Sequence, residues 1–391
     1  MPYVFKIFLV VLSCKQFNIQ IVTFSNYQIA PMEPLKEMFN RNFYKHFAEE
    51  ISGADKNFNP DKFVKDVTAG FDDMALNQRM RNTSIMLHKH LPYSYKKQIE
   101  ICRKVIPTVQ RGYVTLVFPD FVGLFGREDF DTSLDALKYF TTFGSSEFAI
   151  REFLRLDFKR TIKEMEKWAG DKDHHVRRLS SEGSRARLPW SFKLDEVIKN
   201  PKCTLPILEK LKSDEELYVK KSVANHLNDL SKDNPDTMLS IVKAWDKTNA
   251  NTAWIVKHAS RSLIKKGNAE SLSVFDFEKN VKVRIENFKL NKTKFTLGDK
   301  LAFEFHLISE KKTPQKLVID YVIHYVKKGG ELSPKVFKLK ELNLLPGKTE
   351  HITKQQVFKD FTTRKHHAGK HKVEVMVNGK VMGSLAFSLV I

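Results

Sequence analysis

The sequence is short of cysteine: three in 391 residues, Cys14, Cys102 and Cys203, far apart. An odd, scattered set makes neither a disulfide framework nor a zinc spacing, and it fits a reducing, intracellular compartment. The 13 histidines form no HExxH pattern, and His174-His175 and His366-His367 are only adjacent pairs, so neither a metal nor any other cofactor is expected. Long apolar runs are also lacking. Val4 to Cys14 (VFKIFLVVLSC) is shorter than the ~20 apolar residues of a membrane span and resembles at most a signal core. Residues 1–31 therefore read as an upstream extension or signal-like segment, with Met32 (MEPLKEMF) as the functional start. A cytoplasmic protein with no membrane partner is the expectation, and export is the alternative. Acidic residues are scarce too, 46 against 66 Lys and Arg, which leaves a net charge of +20. Such a field attracts polyanions, nucleic acid above all, although a generally basic surface without a specific partner gives the same count.

Hydrophobic residues make up 42% of the chain, ample for real cores, and 391 residues suggest two or three domains. From Met32 to about Gly112 the pattern is helical. Phe39, Phe43, Phe47 and Ile51 recur every four residues, Phe63, Val64, Val67 and Phe71 form a second stripe after Asn59-Pro60, and Met80 to His90 is a further helix stopped by Leu91-Pro92. Phe118 to Phe143 reads as a loop followed by a helix capped around Asp131-Thr132-Ser133, and serines ahead of Glu147 mark another helix start.

Between Ile150 and Ile264 a theme recurs: an aliphatic residue, basic residues, then small ones. It appears at Val176-Arg177-Arg178-Leu179-Ser180, Val219-Lys220-Lys221-Ser222-Val223 and Val256-Lys257-His258-Ala259-Ser260, with starts 43 and 37 residues apart, and more faintly at Ile150-Arg151. Irregular periods near 40, each a pair of helices, point to HEAT-like repeats stacked as a solenoid. At about 100° per residue, Lys221, Asn225, Asn228 and Asp229 share one face of a helix over 219–230. Trp254, Lys257, His258, Arg261 and Lys265 share one face over 254–266. Basic side chains with an interleaved aromatic suit a sugar-phosphate backbone, while a solvated face with one amphipathic Trp is the plainer reading. Ser180 to Trp190 (SSEGSRARLPW) gathers Glu182, Arg185, Arg187 and Trp190 around two breakers, Gly183 and Pro189. From about Asn280 the pattern alternates instead. Strands are expected over 301–308, 316–326, 335–342, 372–377 and 383–391, separated by turns such as Gly329-Gly330 and Asn378-Gly379, an immunoglobulin-like β-sandwich. Its lysines read as edge protection or as an auxiliary DNA grip. The expected fold is thus mainly α, a HEAT-like helical repeat solenoid over 32–275 followed by an all-β immunoglobulin-like sandwich over 280–391.

The motifs SSEFAIREFL (from Ser145), SSEGSRARLPW, VKKSVANHLNDLSKDNPD (from Val219) and WIVKHASRSLIKKG (from Trp254), with MEPLKEMF and FPDFVGLFG, stand in one order and resemble the AlkC branch of the AlkC/AlkD DNA glycosylases, over about Met32 to Gly267. The C-terminal sandwich is similar to that of the family members with an immunoglobulin-like domain. The resemblance implies a monomeric enzyme whose partner is double-stranded DNA with alkylated bases. It would excise cationic bases, N3-methyladenine first, without turning the base out into a pocket, a departure from base flipping. By motif, the implied catalytic residues are Glu147, Asp229 and Trp190, with Arg185 and Arg187 at the DNA. Arg151, Arg178, Lys221, Asn225, Trp254, Lys257, His258 and Arg261 complete the expected DNA-binding set. Lys220-Lys221 stand where the family often has arginines, which removes bidentate phosphate contacts. Ala186 stands where a proline is expected, which implies a less rigid loop.

A carboxylate stabilises the oxocarbenium character that develops as the glycosidic bond breaks, and can orient the attacking water. A Trp face excludes water and stabilises the same charge. A leaving group that is already cationic needs no protonation. Plainer roles exist for each residue: helix-dipole compensation for Glu147, a bond to Arg or Lys for Asp229, a core plug for Trp190, and pairing with Arg178 for Glu182. A non-catalytic HEAT-repeat protein that binds bent or branched DNA is the alternative function.

Overall fold

The first helix begins where the sequence supplies an acceptor: Asn40 Oδ1 takes the Phe43 amide at 2.8 Å, and buried Phe39 ahead of the cap packs edge-on against Phe43. The structure, a computed structural model, describes residues 35–360 and 365–391, so the 1–31 segment lies outside it. The helices run α1 (Arg41–Ala54), α2 (Pro60–Val67), α3 (Leu76–His90), α4 (Tyr95–Val105), α5 (Val117–Phe125), α6 (Phe130–Phe140), α7 (Glu147–Leu156) and α8 (Phe158–Trp168). They continue with α9 (His174–Gly183), α10 (Asp195–Lys199), α11 (Leu205–Leu211), α12 (Leu217–Asp233), α13 (Pro235–Ala244), α14 (Ala250–Ala259), α15 (Arg261–Lys265) and α16 (Ala269–Val274).

The aromatic stripes are core as expected, with Phe47, Ile51, Phe63 and Val67 buried. Three local readings change. FPDFVGLFG is helix α5 rather than loop: Pro119 is its third residue, a first-turn position that loses no intrahelical bond, and a stretch buried on nearly all sides has no amphipathic stripe to announce it. Helix α6 starts two residues earlier than its Asp-Thr-Ser signal suggests, because Asp129 is the cap. The helix expected over 254–266 is divided at Ser260 into α14 and α15. Helices α3, α5, α7, α9, α12 and α14 pack as successive neighbours, each on the next, which places the basic helices α9, α12 and α14 side by side with α12 central.

After α16 the chain forms strands β1 (Val283–Leu290), β2 (Lys294–Thr296), β3 (Lys300–Ser309), β4 (Gln315–Val326), β5 (Leu332–Leu344), β6 (Thr349–Val357), β7 (Gly369–Val377) and β8 (Lys380–Val390). They make a three-stranded sheet, β1-β3-β6, and a five-stranded sheet, β2-β8-β7-β4-β5, whose inner faces share a core of Phe303, Phe305, Ile319, Tyr321, Val373 and Val375. β1 and β6 escape an alternation reading. β1 carries a register shift between Glu286 and Lys289 with Asn287 at φ +53°, and β6 buries only Ile352.

Strands and helices meet in a defined contact. Ile264, Leu272 and Phe277 pack on Val318 of β4. A Cβ on Gly379 would lie 2.1 Å from the Gly267 Cα, so this approach needs glycine on both sides. Lys257 reaches Glu341 of β5 at 2.8 Å, and Lys265 donates to the Val336 carbonyl at 3.2 Å.

Candidate active site and DNA-facing surface

The first residue of α7 is Glu147, where a carboxylate compensates the helix dipole. It does more than that. Its Oε2 pairs with Arg178 of α9, whose Nη1 also donates to Ser145 Oγ at 2.8 Å and whose Nη2 lies 3.5 Å from Glu182 Oε1. Glu182 in turn receives Arg185 Nη1 at 2.6 Å, and the other edge of Arg185 clasps Asp229 Oδ2 of α12, at 2.8 Å from Nε and 2.7 Å from Nη2. Lys232 closes the chain on Asp229 Oδ1 at 2.8 Å. Three carboxylates from α7, α9 and α12 are thus threaded by two arginines, with little exposure for any of them: 14% for the Glu147 side chain, 7% for Glu182 and 3% for Asp229. Burial works against charge on Arg178, but Glu147 and Glu182 outweigh it and hold the guanidinium above its ordinary value. Burial works against Glu182 as well, and Arg178 and Arg185 hold its carboxyl below the usual range. Arg178 also sits over the Tyr218 ring, 4.7 Å from its centroid.

Beneath this chain, His226 of α12 is fully buried, its Nδ1 3.0 Å from the Ser181 carbonyl and its Nε2 without a partner. Burial, with Arg185 nearby, pulls its pKa down to about 4, so the ring is neutral at pH 7.

The loop after α9 carries Trp190 in an unusual state. The side chain is 89% exposed, and the backbone is left-handed at φ +64°, a conformation that bulky residues rarely adopt. The core-plug reading is thereby overturned. Arg151 explains how the loop is held. It is fully buried, and its guanidinium donates to the carbonyls of Gly183 (3.0 Å), Arg185 (2.7 Å) and Phe192. Burial, with Arg185 alongside, pulls Arg151 down to about 10. The loop therefore does not depend on a proline at position 186: a fork on three carbonyls fixes it. Gly183, read as a breaker, is the last residue of α9, and packing requires glycine there, since a Cβ would meet Ile150 Cγ2 at 2.5 Å.

The expected DNA-binding residues divide. Arg151 and Arg185 are buried, the first on carbonyls and the second between two acids, so neither presents its guanidinium to a duplex here. Arg187 is half-buried and bidentate with Asp233, at 2.6 and 2.5 Å. Lys257 is exposed but neutralises Glu341. A contiguous surface remains on α12, α14 and α15. Lys221 is exposed, Arg261 bonds Asn225 Oδ1 at 2.8 Å, and Trp254 stacks on His258 at 3.7 Å between centroids with Lys220 5.9 Å from the indole. The helical-wheel face of α12 is only partly open, because Asn228 and Asp229 are covered by Ser262 and Arg185. Sequence reasoning gave no role to Tyr218, Ser145, Phe148 and Phe192, aromatics and a hydroxyl that flank the acids or the Trp190 loop. Apart from Ser145 and Phe148 standing on either side of Ser146-Glu147, no spacing singles them out.

Among the described residues no group of His, Cys, Asp and Glu is placed to hold a metal ion, and no helix is long and apolar enough to cross a membrane.

Comparison with known proteins is consistent across the chain. A family model described as DNA alkylation repair enzyme matches residues 134–263, and one described as the C-terminal Ig-like domain of uncharacterised protein YhaZ matches residues 284–391. The chain is 38% identical over 359 residues to the uncharacterized protein YhaZ of Bacillus subtilis, covering 92% of this chain and all of that one. Among solved structures it is similar to the Pseudomonas fluorescens alkylpurine DNA glycosylase AlkC bound to DNA containing an abasic site analog. That likeness has 45% identity and a TM-score of 0.89, over 92% of this chain and all of that one.

Proposed function

This chain belongs to the AlkC/YhaZ branch of the DNA alkylation repair family, and from that premise we propose that it is a DNA glycosylase excising cationic N-alkylated bases, N3-methyladenine first, from duplex DNA in base excision repair. The observation that carries the reading is the pairing of three threaded carboxylates with an exposed, left-handed Trp190 on a strongly basic chain. A scaffold that only grips phosphates has use for neither.

The residues divide the work as follows. Lys221, Asn225, Arg261 and the Trp254–His258 stack meet the sugar-phosphate backbone. Trp190 lies against the lesion nucleotide, shields it from water and offers its π face to developing positive charge. The lesion's glycosidic bond breaks heterolytically. Both bonding electrons go to the base, which leaves neutral because it was cationic, and the sugar becomes an oxocarbenium ion. Glu147 and Asp229 stabilise that ion and orient the water that adds to C1′, and the water's proton passes to a carboxylate. No acid is required for the departing base, so neutral bases are poor substrates. Because Trp190 stands on the surface, Glu147 opens α7 and Glu182 stands next to the end of α9, the sugar is approached on this reading without the lesion being turned out into an enclosing pocket.

The arginines set the charge balance. With three acids against Arg178 and Arg185, the third cation is Lys232, whose side chain is nearly half exposed. A phosphate that draws Lys232 away leaves one oxygen of Asp229 unmatched as the sugar arrives. A carboxylate ~4 Å from a developing cation contributes about 4 kcal/mol at an effective dielectric of 20, roughly a thousandfold in rate. The test is release of N3-methyladenine from methylated duplex DNA. The wild type should release it, and the Glu147→Gln, Asp229→Asn double variant should be slower by roughly a thousandfold or more. No release by the wild type, or full release by the double variant, overturns the reading.

A further inference from the structure

A cavity of about 710 Å³ opens between α3, α5, α7 and the Trp190 loop, within the ~300–1,000 Å³ range of small-molecule sites. Its walls are Ile85, Leu124, Phe148, Trp190 and Phe192, with Met74 and Met80 of α3 and its approach also lining it. Exposure of such groups is large where it is unexpected: 42% for Ile85, 37% for Phe148 and 89% for Trp190. Apolar side chains arranged around one hollow mark a contact site rather than ordinary surface.

Its charge distinguishes it from the rest of the protein. The four charged residues that line it cancel in pairs, Arg81 with Asp120 at 2.8 Å and Arg127 with Glu152 at 3.2 Å. On a chain of net charge +20 this is a neutral hollow. A phosphate has no reason to enter it, whereas a flat, neutral, partly apolar group does. Asn77 and Gln78, both exposed, supply side-chain NH2 groups able to donate to such a group, while their side-chain carbonyl oxygens already accept from the Tyr113 hydroxyl and the Ala75 amide. The hollow also joins the acid chain: Ser145 lines it, and the Ser145 hydroxyl accepts from the same Arg178 that pairs with Glu147. One wall is fixed in advance, because Arg151 holds the Phe192 carbonyl and Arg155 stacks on the Phe192 ring at 3.7 Å.

We infer that this cavity is a subsite for an unpaired nucleobase, stacked between Trp190, Phe148 and Phe192 beside the site of bond cleavage. The inference rests on the glycosylase reading. Two sources supply the same chemistry: the base released by the reaction, or the base left without a partner on the opposite strand.

Two arms separate them, with Ile85→Trp as the variant that fills the cavity and Ile85→Ser as one that trims its wall. In the first, free adenine is titrated into steady-state base release. In the second, 2-aminopurine is placed opposite a tetrahydrofuran abasic analogue and its emission is followed on binding. If the released base occupies the cavity, adenine inhibits the wild type and Ile85→Trp weakens that inhibition about tenfold, the scale of losing one aromatic stack. If the opposite base occupies it, 2-aminopurine emission changes with the wild type, and the change is lost with Ile85→Trp and reduced with Ile85→Ser. Base release by the wild type with neither inhibition nor an emission change overturns the subsite and leaves the glycosylase reading standing. Absence of base release overturns the glycosylase reading itself.

Discussion

Replacing Trp190 separates two quantities that most active-site substitutions confound. Its side chain is 89% exposed, so only about a tenth of its surface is at stake in folding. Taking ~250 Å² for a Trp side chain, that is roughly 25 Å², or about 0.6 kcal/mol at ~25 cal/mol per Å². Its backbone sits at φ +64°, which costs a residue with a Cβ about 1–2 kcal/mol and glycine almost nothing. Trp190→Ala should therefore lose about 0.6 kcal/mol, since alanine keeps the strain and gives up the small contact. Trp190→Gly sheds the strain, but its freer unfolded chain returns about 0.4–1 kcal/mol of that gain. The two variants should consequently rank Gly above Ala by about 1 kcal/mol or slightly less, the reverse of the usual order. Both should lose base release, by roughly 5- to 150-fold if one aromatic stack of about 1–3 kcal/mol is removed. Urea unfolding and single-turnover release on methylated duplex measure the two effects. An alanine variant as stable as the glycine variant would refute the strain, and a loss above ~2 kcal/mol in Trp190→Ala would show that the indole packs into the fold.

Arg151→Met should destabilise by about 3–5 kcal/mol, because three carbonyls lose a buried charged donor, and chemical denaturation will show it. Gly183→Ala forces a Cβ to within 2.5 Å of Ile150 Cγ2 and 3.0 Å of Met165 Cε, so a loss of about 1–3 kcal/mol is expected by the same measurement. In DNA binding against salt concentration, Lys221→Ala should lower the slope of log K on log salt by about 0.9, whereas Lys257→Ala should lower it less, because Lys257 already neutralises Glu341.

Where a residue's neighbours along the chain decide its fate, the sequence was readable; where distant ones do, it was not. The stripe Phe39, Phe47, Ile51 and the alternation of β3 and β4 follow from periods of 3.6 and 2, and both appear as core. Helix α5 was opaque because burial on nearly all sides erases its period, and β1 and β6 because a bulge and a polar edge erase theirs. The site divides in the same way. Glu147, Trp190 and Asp229 carry local motifs, yet no local signal tells a buried arginine from a DNA-facing one. Arg151 and Arg185 look like phosphate contacts in sequence, and only the carbonyls of residues 183–192 and the acids of α9 and α12 claim them. The exposed left-handed Trp190 is likewise a tertiary fact, enforced by Arg151 some forty positions away.

Two buried titratable groups predict an uneventful acid profile that single substitutions should break. Asp320 in β4 is 1% exposed, neither carboxylate oxygen has a partner, and burial pushes it up to about 6. Lys265 of α15 and Lys338 of β5 oppose that shift, and Glu341 of β5 adds to it. An unfolded aspartate titrates near 3.9, so between about pH 4 and 6 the folded state holds the extra proton, and stability falls as pH rises, by about 3 kcal/mol in all. His226 behaves in the opposite sense. Its folded value of about 4 lies below the ordinary 6.5, so the unfolded state holds the extra proton between them, and stability rises with pH by about 3 kcal/mol. The windows nearly coincide and the slopes oppose, so the two contributions should sum to a near-constant cost across pH 4 to 6. The groups lie in separate parts of the fold, α12 and β4, with no shared partner, which makes the sum additive. Asp320→Asn should then expose the histidine slope, gaining stability over wild type that grows from nothing near pH 4 to about 3 kcal/mol near pH 7. His226→Gln should gain most near pH 4 and least near pH 7. Urea midpoints of the two variants against wild type at matched pH decide the matter, because titrations common to all three cancel in the difference. Parallel profiles for all three proteins would mean that neither group changes its protonation on folding.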